Sequence, residues 1–317
     1  MRFNISPGDG VGRLFVLNAA TGEKIREIST GVGNVGTPSG LARVNIWVDS
    51  EGDNTADRAY AGDQLGNVWR FDINNDIGAS GYDAQRLATL TVGNTPQPIT
   101  IKPEVAVVKQ NGINYKVVQI GTGRLLGNSD LGSTGVQSVY AIKDLSTDTG
   151  WGDFRVSPNS VKQTLTDGEI NGKKVRTASK NSMDWSLKNG WYVDLPTAGE
   201  RVNIDMQLQL NILAVAGNVP SNNASNPCSA GGGYAWMYYF DLETGSFVPS
   251  VSNDKVGELI PGNKLAAGLK QVRLPNGRVV SIVNGTDGSL TPVDTPAGAS
   301  GVIGPAKRTS WRELNHD

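Results

Sequence analysis

Glycine sets the terms on which this chain can fold. It takes 40 of the 317 positions, well above the ~7% usual in proteins. The glycines do not gather in one linker but punctuate short runs of β-branched and aromatic residues. Such runs, closed at each end by residues that tolerate tight turns, predict strands. The clearest are RLFVLNA (13–19), EKIREIS (23–29), NVWRFDI (67–73), YKVVQIG (115–121), QSVYAIK (137–143), AWMYYFD (235–241) and RVVSIVN (278–284). No long stretch carries the apolar period of an amphipathic helix.

Two distant segments share a hairpin pattern, FVLNAATGEKIREI from Phe15 and YFDLETGSFVPSV from Tyr239. Asn18 aligns with Asp241, Thr21 with Thr244 and Gly22 with Gly245. In such a turn the Asn or Asp side chain accepts from a backbone N–H, and glycine takes the positive φ that sends the chain back. A weaker copy, WRFDINNDIG (69–78), keeps the aromatic-Asp pair and loses the Thr-Gly. Repeated hairpins too small to bury their own faces predict an all-β fold, a β-propeller, with a β-sandwich as the alternative. At roughly 40 to 50 residues per blade the chain has room for about five or six. Residues 145–185 are polar and rich in Gly, Ser and Asn, and read as an inserted loop within one domain spanning 1–317. Setting them aside leaves about four or five blades.

Charge and composition exclude several functions. Net charge is −1 and the 29 basic residues are scattered, so no stripe of positive potential suggests a nucleic-acid partner. No run approaches the ~20 apolar residues of a membrane-spanning helix, and MRFNISPGDGVG lacks the basic and apolar regions of a signal peptide. Cys228 is the only cysteine and His316 the only histidine. An internal disulfide is therefore impossible, and Cys/His zinc or Cys-His nucleophilic chemistry is nearly excluded.

The stretch DSEGDNTAD, residues 49 to 57, holds four carboxylates and no Lys or Arg. Oxygen donors fall on alternate residues: Asp49, Glu51, Asp53, the carbonyl of Thr55, and Asp57. In a tight loop that alternation turns them toward a common centre, the all-oxygen cage a hard cation such as Ca²⁺ prefers. The glycine and glutamate of the helical calcium loop are absent at its sixth and twelfth positions, where Asn54 and Tyr60 stand, so this is a loop between strands rather than an EF-hand. If the carboxylates converge, each pair ~4 Å apart repels by about 4 kcal/mol at an effective dielectric near 20, which an ion would relieve. The alternative is an acidic surface turn whose side chains splay into water.

Other motifs point to scaffold. Gly31, Gly33 and Gly36 in GVGNVG match a dinucleotide fingerprint, but Pro38 and Gly40 break any helix that would hold a pyrophosphate. A loop between blades is the reading here. Trp47, Trp69, Trp151, Trp185, Trp191, Trp236 and Trp311 read as filler between packed sheets. Cys228, in NNASNPCSAGGG, reads as an isolated thiol in a polar loop.

In order along the chain, LFVLNAATGEKIREISTGVG, DSEGDNTADRAYAGDQLGNVWRFD, VVQIGTGRLL, NGWYVDLPTAGERV, NPCSAGGG and KRTSWREL resemble the C-terminal β-propeller of the PilC and PilY family of type IV pilus proteins. YAGDQLGNVWRFD beside the acidic loop is the most specific part. The resemblance implies the later blades of a larger propeller of about seven blades. It also implies a non-enzymatic, calcium-binding protein of the pilus, exported to the cell surface, outer membrane or periplasm. Such a protein influences pilus extension, retraction and surface attachment, with minor pilins and host or surface ligands as partners. By position, the family's calcium ligands fall on Asp49, Glu51, Asp53, Thr55 through its carbonyl, and Asp57; Glu51 departs from the more usual Asp. Family members also carry an export signal and an N-terminal region, so the chain is expected to be a fragment. A quinoprotein-type dehydrogenase propeller, or an integrin-like or lectin-like binding propeller unrelated to pili, are the alternatives.

Overall fold

The structure, a computed structural model, describes residues 8–48, 56–74, 82–156, 159–221 and 232–297. All seven runs named above are strands, and the regular structure is otherwise more strand and two short 3₁₀ turns among the described residues. No described helix is long and apolar enough to cross a membrane.

The chain opens with a hairpin of β1 (Arg13–Leu17) and β2 (Lys24–Ser29). Then come β3 (Asn45–Trp47), β4 (Arg58–Gly62), β5 (Asn67–Asp72) and β6 (Ala84–Thr89), which form one antiparallel sheet in chain order. A small ribbon, β7 (Thr91–Val92) with β8 (Thr95–Pro96), leads to the second sheet. There β9 (Glu104–Gln110), β10 (Ile113–Gly121) and β11 (Ser138–Asp144) pair in sequence. The next strands are β12 (Ser160–Gln163), β13 (Leu165–Ile170), β14 (Lys173–Ala178) and β15 (Gly190–Asp194), of which β15 completes the second sheet against β11 and β12 adds parallel to it at the edge. The third sheet runs β16 (Gln207–Gln209), β17 (Ile212–Pro220), β18 (Gly233–Asp241) and β19 (Lys255–Leu259). The last is β20 (Ala266–Arg273), β21 (Val279–Gly285) and β22 (Leu290–Asp294).

Meandering sheets that follow one another along the chain, with first strands meeting (β3 against β9, β16 against β20), make a propeller-like arrangement of four blades. The packing follows from the two-residue period of a strand. On β18, Tyr238 and Phe240 belong to the core shared with the second blade, while Met237 and Tyr239 belong to the core shared with the fourth. On β10, Val118 and Ile120 join Tyr60, Val68 and Leu90 of the first blade, and Val117 faces the third. Strands buried on both faces need apolar residues at nearly every position, which is why β17 and β18 read ILAVAGNVP and GYAWMYYFD. Trp69, Trp185, Trp191 and Trp236 are buried in these layers, as the filler reading expects; Trp311 lies outside the described residues.

Residues 145–185 are an insertion but not a loop. They lie between β11 and β15, the third and fourth strands of the second blade, and contain β12, β13 and β14. The hairpin β13–β14 leaves its own blade and extends the third sheet through β14–β19 pairing, Val175 opposite Glu258 and Arg176 opposite Gly257. Ahead of it, Trp151 and Phe154 donate backbone N–H groups to Leu87 and Thr89 of the first blade at 2.7 and 3.0 Å. Polarity misled here because half of the hairpin's strand residues are exposed, and it is held by its ladder together with the few buried side chains Leu165, Val175, Arg176 and Ala178.

Candidate metal-binding loop

The acid-rich stretch joins β3 to β4, paired through Asn45–Tyr60, Ile46–Ala59 and Trp47–Arg58. Its carboxyl end is fixed on three sides. The Asp57 N–H donates to the Trp47 carbonyl at 2.9 Å, and the Asp57 carbonyl accepts from Ile73 N–H at 3.1 Å. Its Oδ1 accepts from Asn74 Nδ2 at 2.7 Å. Trp47 and Asp57 are thus bonded across the stem at the two ends of the connection between β3 and β4. Of the expected ligands, Asp57 stands at this mouth; Asp49, Glu51, Asp53 and Thr55 lie outside the described residues. Among the described residues no cluster of three or more His, Cys, Asp or Glu could hold a metal. Asp57 is thus the one expected ligand that the described residues place, its carboxylate engaged by Asn74.

The neighbouring YAGDQLGNVWRFD reads as architecture. The Asp63 carboxylate, fully buried, accepts from the N–H groups of Leu65 and Asn67 at 3.0 and 2.9 Å and from the hydroxyl of Ser39 at 3.1 Å. It also accepts from Asn67 Nδ2 and Trp69 Nε1, each at 2.9 Å. The motif therefore builds the β4–β5 turn and ties it to Ser39, just beyond GVGNVG, which has no helix after it. The Thr-Gly hairpins form as their sequence predicts. Asn18 Oδ1 accepts from Ala20 and Thr21 N–H at 2.9 and 3.2 Å, Asp241 Oδ1 from Thr244 N–H at 2.9 Å, and Gly22 and Gly245 sit at φ 75 and 68.

Three ionic networks, two of them buried and one half-buried, are features the sequence reading missed. Asp144 accepts from Arg70 Nη1 and from the Tyr60 hydroxyl, both at 2.7 Å, so the first two blades are tied by charge. Burial, then the Asp144 charge, push the Tyr60 hydroxyl far above its ordinary range, keeping it a donor. In the second blade Arg155 pairs with Asp194 and donates to Tyr140 at 2.6 Å, over the Tyr192 ring. Burial would raise the Asp194 carboxyl, but hydrogen bonds from Arg155 and Ser138 win and hold it low. Arg176 of β14 reaches Glu200 at 2.7 Å and stacks 3.9 Å from the Trp236 ring centre, so the inserted hairpin plugs into the third blade through a buried charge. Partners separated by 74 residues, as Arg70 and Asp144 are, leave no local trace in sequence.

Comparison with known proteins places this geometry. The family model described as the PilY1 beta-propeller domain matches residues 2–183. A type IV pilus biogenesis factor PilY1 homolog of Xylella fastidiosa is 29% identical over 95% of this chain and 24% of its own length. The type IV pilus biogenesis factor PilY1 of Pseudomonas aeruginosa (strain PAO1) is 26% identical over 73% of this chain and 23% of its own. The chain thus spans about a quarter of the curated relatives it matches. The crystal structure of the P. aeruginosa PilY1 C-terminal domain superposes with a TM-score of 0.70 at 23% identity, covering 92% of this chain and 68% of that one, which establishes the likeness of fold.

Proposed function

Since this chain belongs to the PilY1 β-propeller family, we propose that it is a non-enzymatic, calcium-binding propeller of a type IV pilus biogenesis factor. It acts outside the cytoplasm at the pilus or cell surface, engages pilus components such as minor pilins, and influences pilus extension, retraction and attachment. The observation that carries the calcium reading is the closure of the acid-rich segment by the β3–β4 stem, with Asp57 pinned at its mouth by Trp47, Ile73 and Asn74. Asp49, Glu51, Asp53, the Thr55 carbonyl and Asp57 would hold the ion. When bound, Ca²⁺ supplies charge neutralisation that lets the carboxylates share one loop. The role without catalysis is supported by composition: one cysteine and one histidine in 317 residues leave the chain poor in nucleophiles and general bases.

Differential melting tests this. An ion that binds only the folded loop stabilises the chain by about 2.7 kcal/mol at a hundredfold excess over Kd. Melting should therefore rise with calcium over chelator, and the rise should vanish in Asp57→Ala. Identical melting curves in calcium and chelator would remove the calcium role.

A further inference from the structure

At the opposite end of the blades from the acidic loop, the connections converge on a cleft of about 300 Å³ whose lining includes Gln64, Pro98, Arg124, Asp130, Gln137 and Arg201. They come from the β4–β5 turn, the β8–β9 connection, the β10–β11 loop and the β15–β16 connection. Arg201 is buried and spends its guanidinium on the loop backbone: Nε donates to Gly199 O at 2.8 Å, Nη1 to Arg124 O and Asp130 O at 3.0 and 2.6 Å, and Nη2 to Ser133 O at 2.7 Å. That fixes the β10–β11 loop as a rigid wall. The Asp130 carboxylate is also committed, accepting from Leu126 N–H at 2.8 Å, Gly127 N–H at 3.2 Å and Arg124 Nε at 2.8 Å.

Two groups in the cleft remain unspent. The Arg124 side chain is 44% exposed. Its Nη1 donates to Gln64 Oε1 at 3.2 Å, and its Nη2 has no acceptor among the described residues. Gln137 is 8% exposed, and its buried Oε1 has no hydrogen-bond partner among the described residues. A buried acceptor left unpaired is destabilising, a penalty that a ligand donor would remove. Two guanidinium groups face one carboxylate, so the cleft carries an uncompensated positive charge and one unfilled acceptor.

We propose that this cleft recognises an aspartate or glutamate of a peptide segment, its carboxylate on the Arg124 Nη2 edge and a peptide N–H on Gln137 Oε1. A single carboxylate matches the single excess charge. A phosphate dianion would call for more cations, and the lining has no lysine. Pro98 and its neighbour Pro96 give the peptide an apolar wall without N–H groups that compete for its carbonyls. The site shares no residue with the calcium loop, and its test is independent of calcium.

The test is side-chain NMR of the whole chain, following the Arg124 Nε–H and Gln137 amide signals during titration with acetyl-Gly-Asp-Gly-amide, acetyl-Gly-Asn-Gly-amide and inorganic phosphate. The aspartyl peptide should shift both signals and bind at least tenfold more tightly than the asparaginyl peptide. Arg124→Gln should lose at least tenfold in affinity. Gln137→Leu should weaken binding severalfold while melting no lower than the parent, since it deletes an unpaired buried acceptor; a purely structural Gln137 would lower melting and leave affinity unchanged. Equal binding of the two peptides, unchanged affinity in Arg124→Gln, or phosphate binding as tightly as the aspartyl peptide would overturn the assignment.

Discussion

Breaking the charge that ties the first two blades offers a quantitative check on how this fold is held. Arg70 and Asp144 expose 1% and 0% of their side chains and meet at 2.7 Å. Asp144 also accepts from the Tyr60 hydroxyl at 2.7 Å and the Ser146 N–H at 2.8 Å. Asp144→Leu strands the Arg70 guanidinium in a low-dielectric seam and leaves the Tyr60 hydroxyl without its acceptor. Removing one partner of a buried pair costs about 3–5 kcal/mol, and Arg70→Met should cost a similar amount by stranding the carboxylate. The pair itself is not the source of that figure: replacing both partners by apolar residues of similar volume is often near neutral. The double variant should therefore melt no lower than either single one, giving a coupling energy above about 2 kcal/mol in a thermodynamic cycle. At about 2 °C per kcal/mol for a chain of this size, each single variant should melt about 6–10 °C below the parent. Thermal melts monitored by circular dichroism, with urea unfolding in parallel, supply all four corners. Single-variant losses below about 1 kcal/mol, or strictly additive losses, would refute the claim that the seam depends on charge pairing.

The two matched turns make a second comparison. Gly22→Ala meets no heavy atom within 4 Å and should lose only the left-handed backbone penalty, about 1–2 kcal/mol. At Gly245 a methyl group would lie 2.3 Å from the Trp191 ring, so Gly245→Ala should cost clearly more in the same urea assay; equal losses would contradict the packing. Burial raises the Asp241 carboxyl above its ordinary value. A raised folded-state value means this group's contribution is full below the unfolded carboxylate range, near 4, and is lost as pH rises through the folded value. Asp241→Asn, which places at this turn the residue found at position 18, should flatten the fall in stability as pH rises above the unfolded carboxylate range; a curve parallel to the parent would argue against it.

Much of the scaffold was legible because it is local. Strand positions, the Asn18 and Asp241 turns, and the buried tryptophans follow from patterns a few residues long. The blade boundaries were harder, since a hairpin that docks by its main chain, as β13–β14 does, shows a polar sequence indistinguishable from a loop. The ionic networks and the cleft were invisible for a different reason: Tyr60 finds Asp144 across 84 residues, and Arg201 finds Ser133 across 68. Of the candidate loop, the sequence placed the acidic stretch between two strands, and β3 and β4 flank it. What pins Asp57, namely Asn74 and the Ile73 N–H, belongs to a different turn and carries no signature next to the acidic stretch.

The excursion out of the second blade has a mechanical consequence. Stacked sheets usually part along their seams, where only side chains meet. Here one continuous piece of chain is sewn by main-chain hydrogen bonds to the neighbour on either side, through Thr89 toward the first blade and through β19 toward the third. Force applied to pry these three units apart would have to shear backbone ladders, whereas β20–β22 is fastened to them by side chains such as Asn218, which grips the backbone of Ala266. The molecule is thus a riveted block of three with one hinged leaf, and the leaf is where strain would be released first.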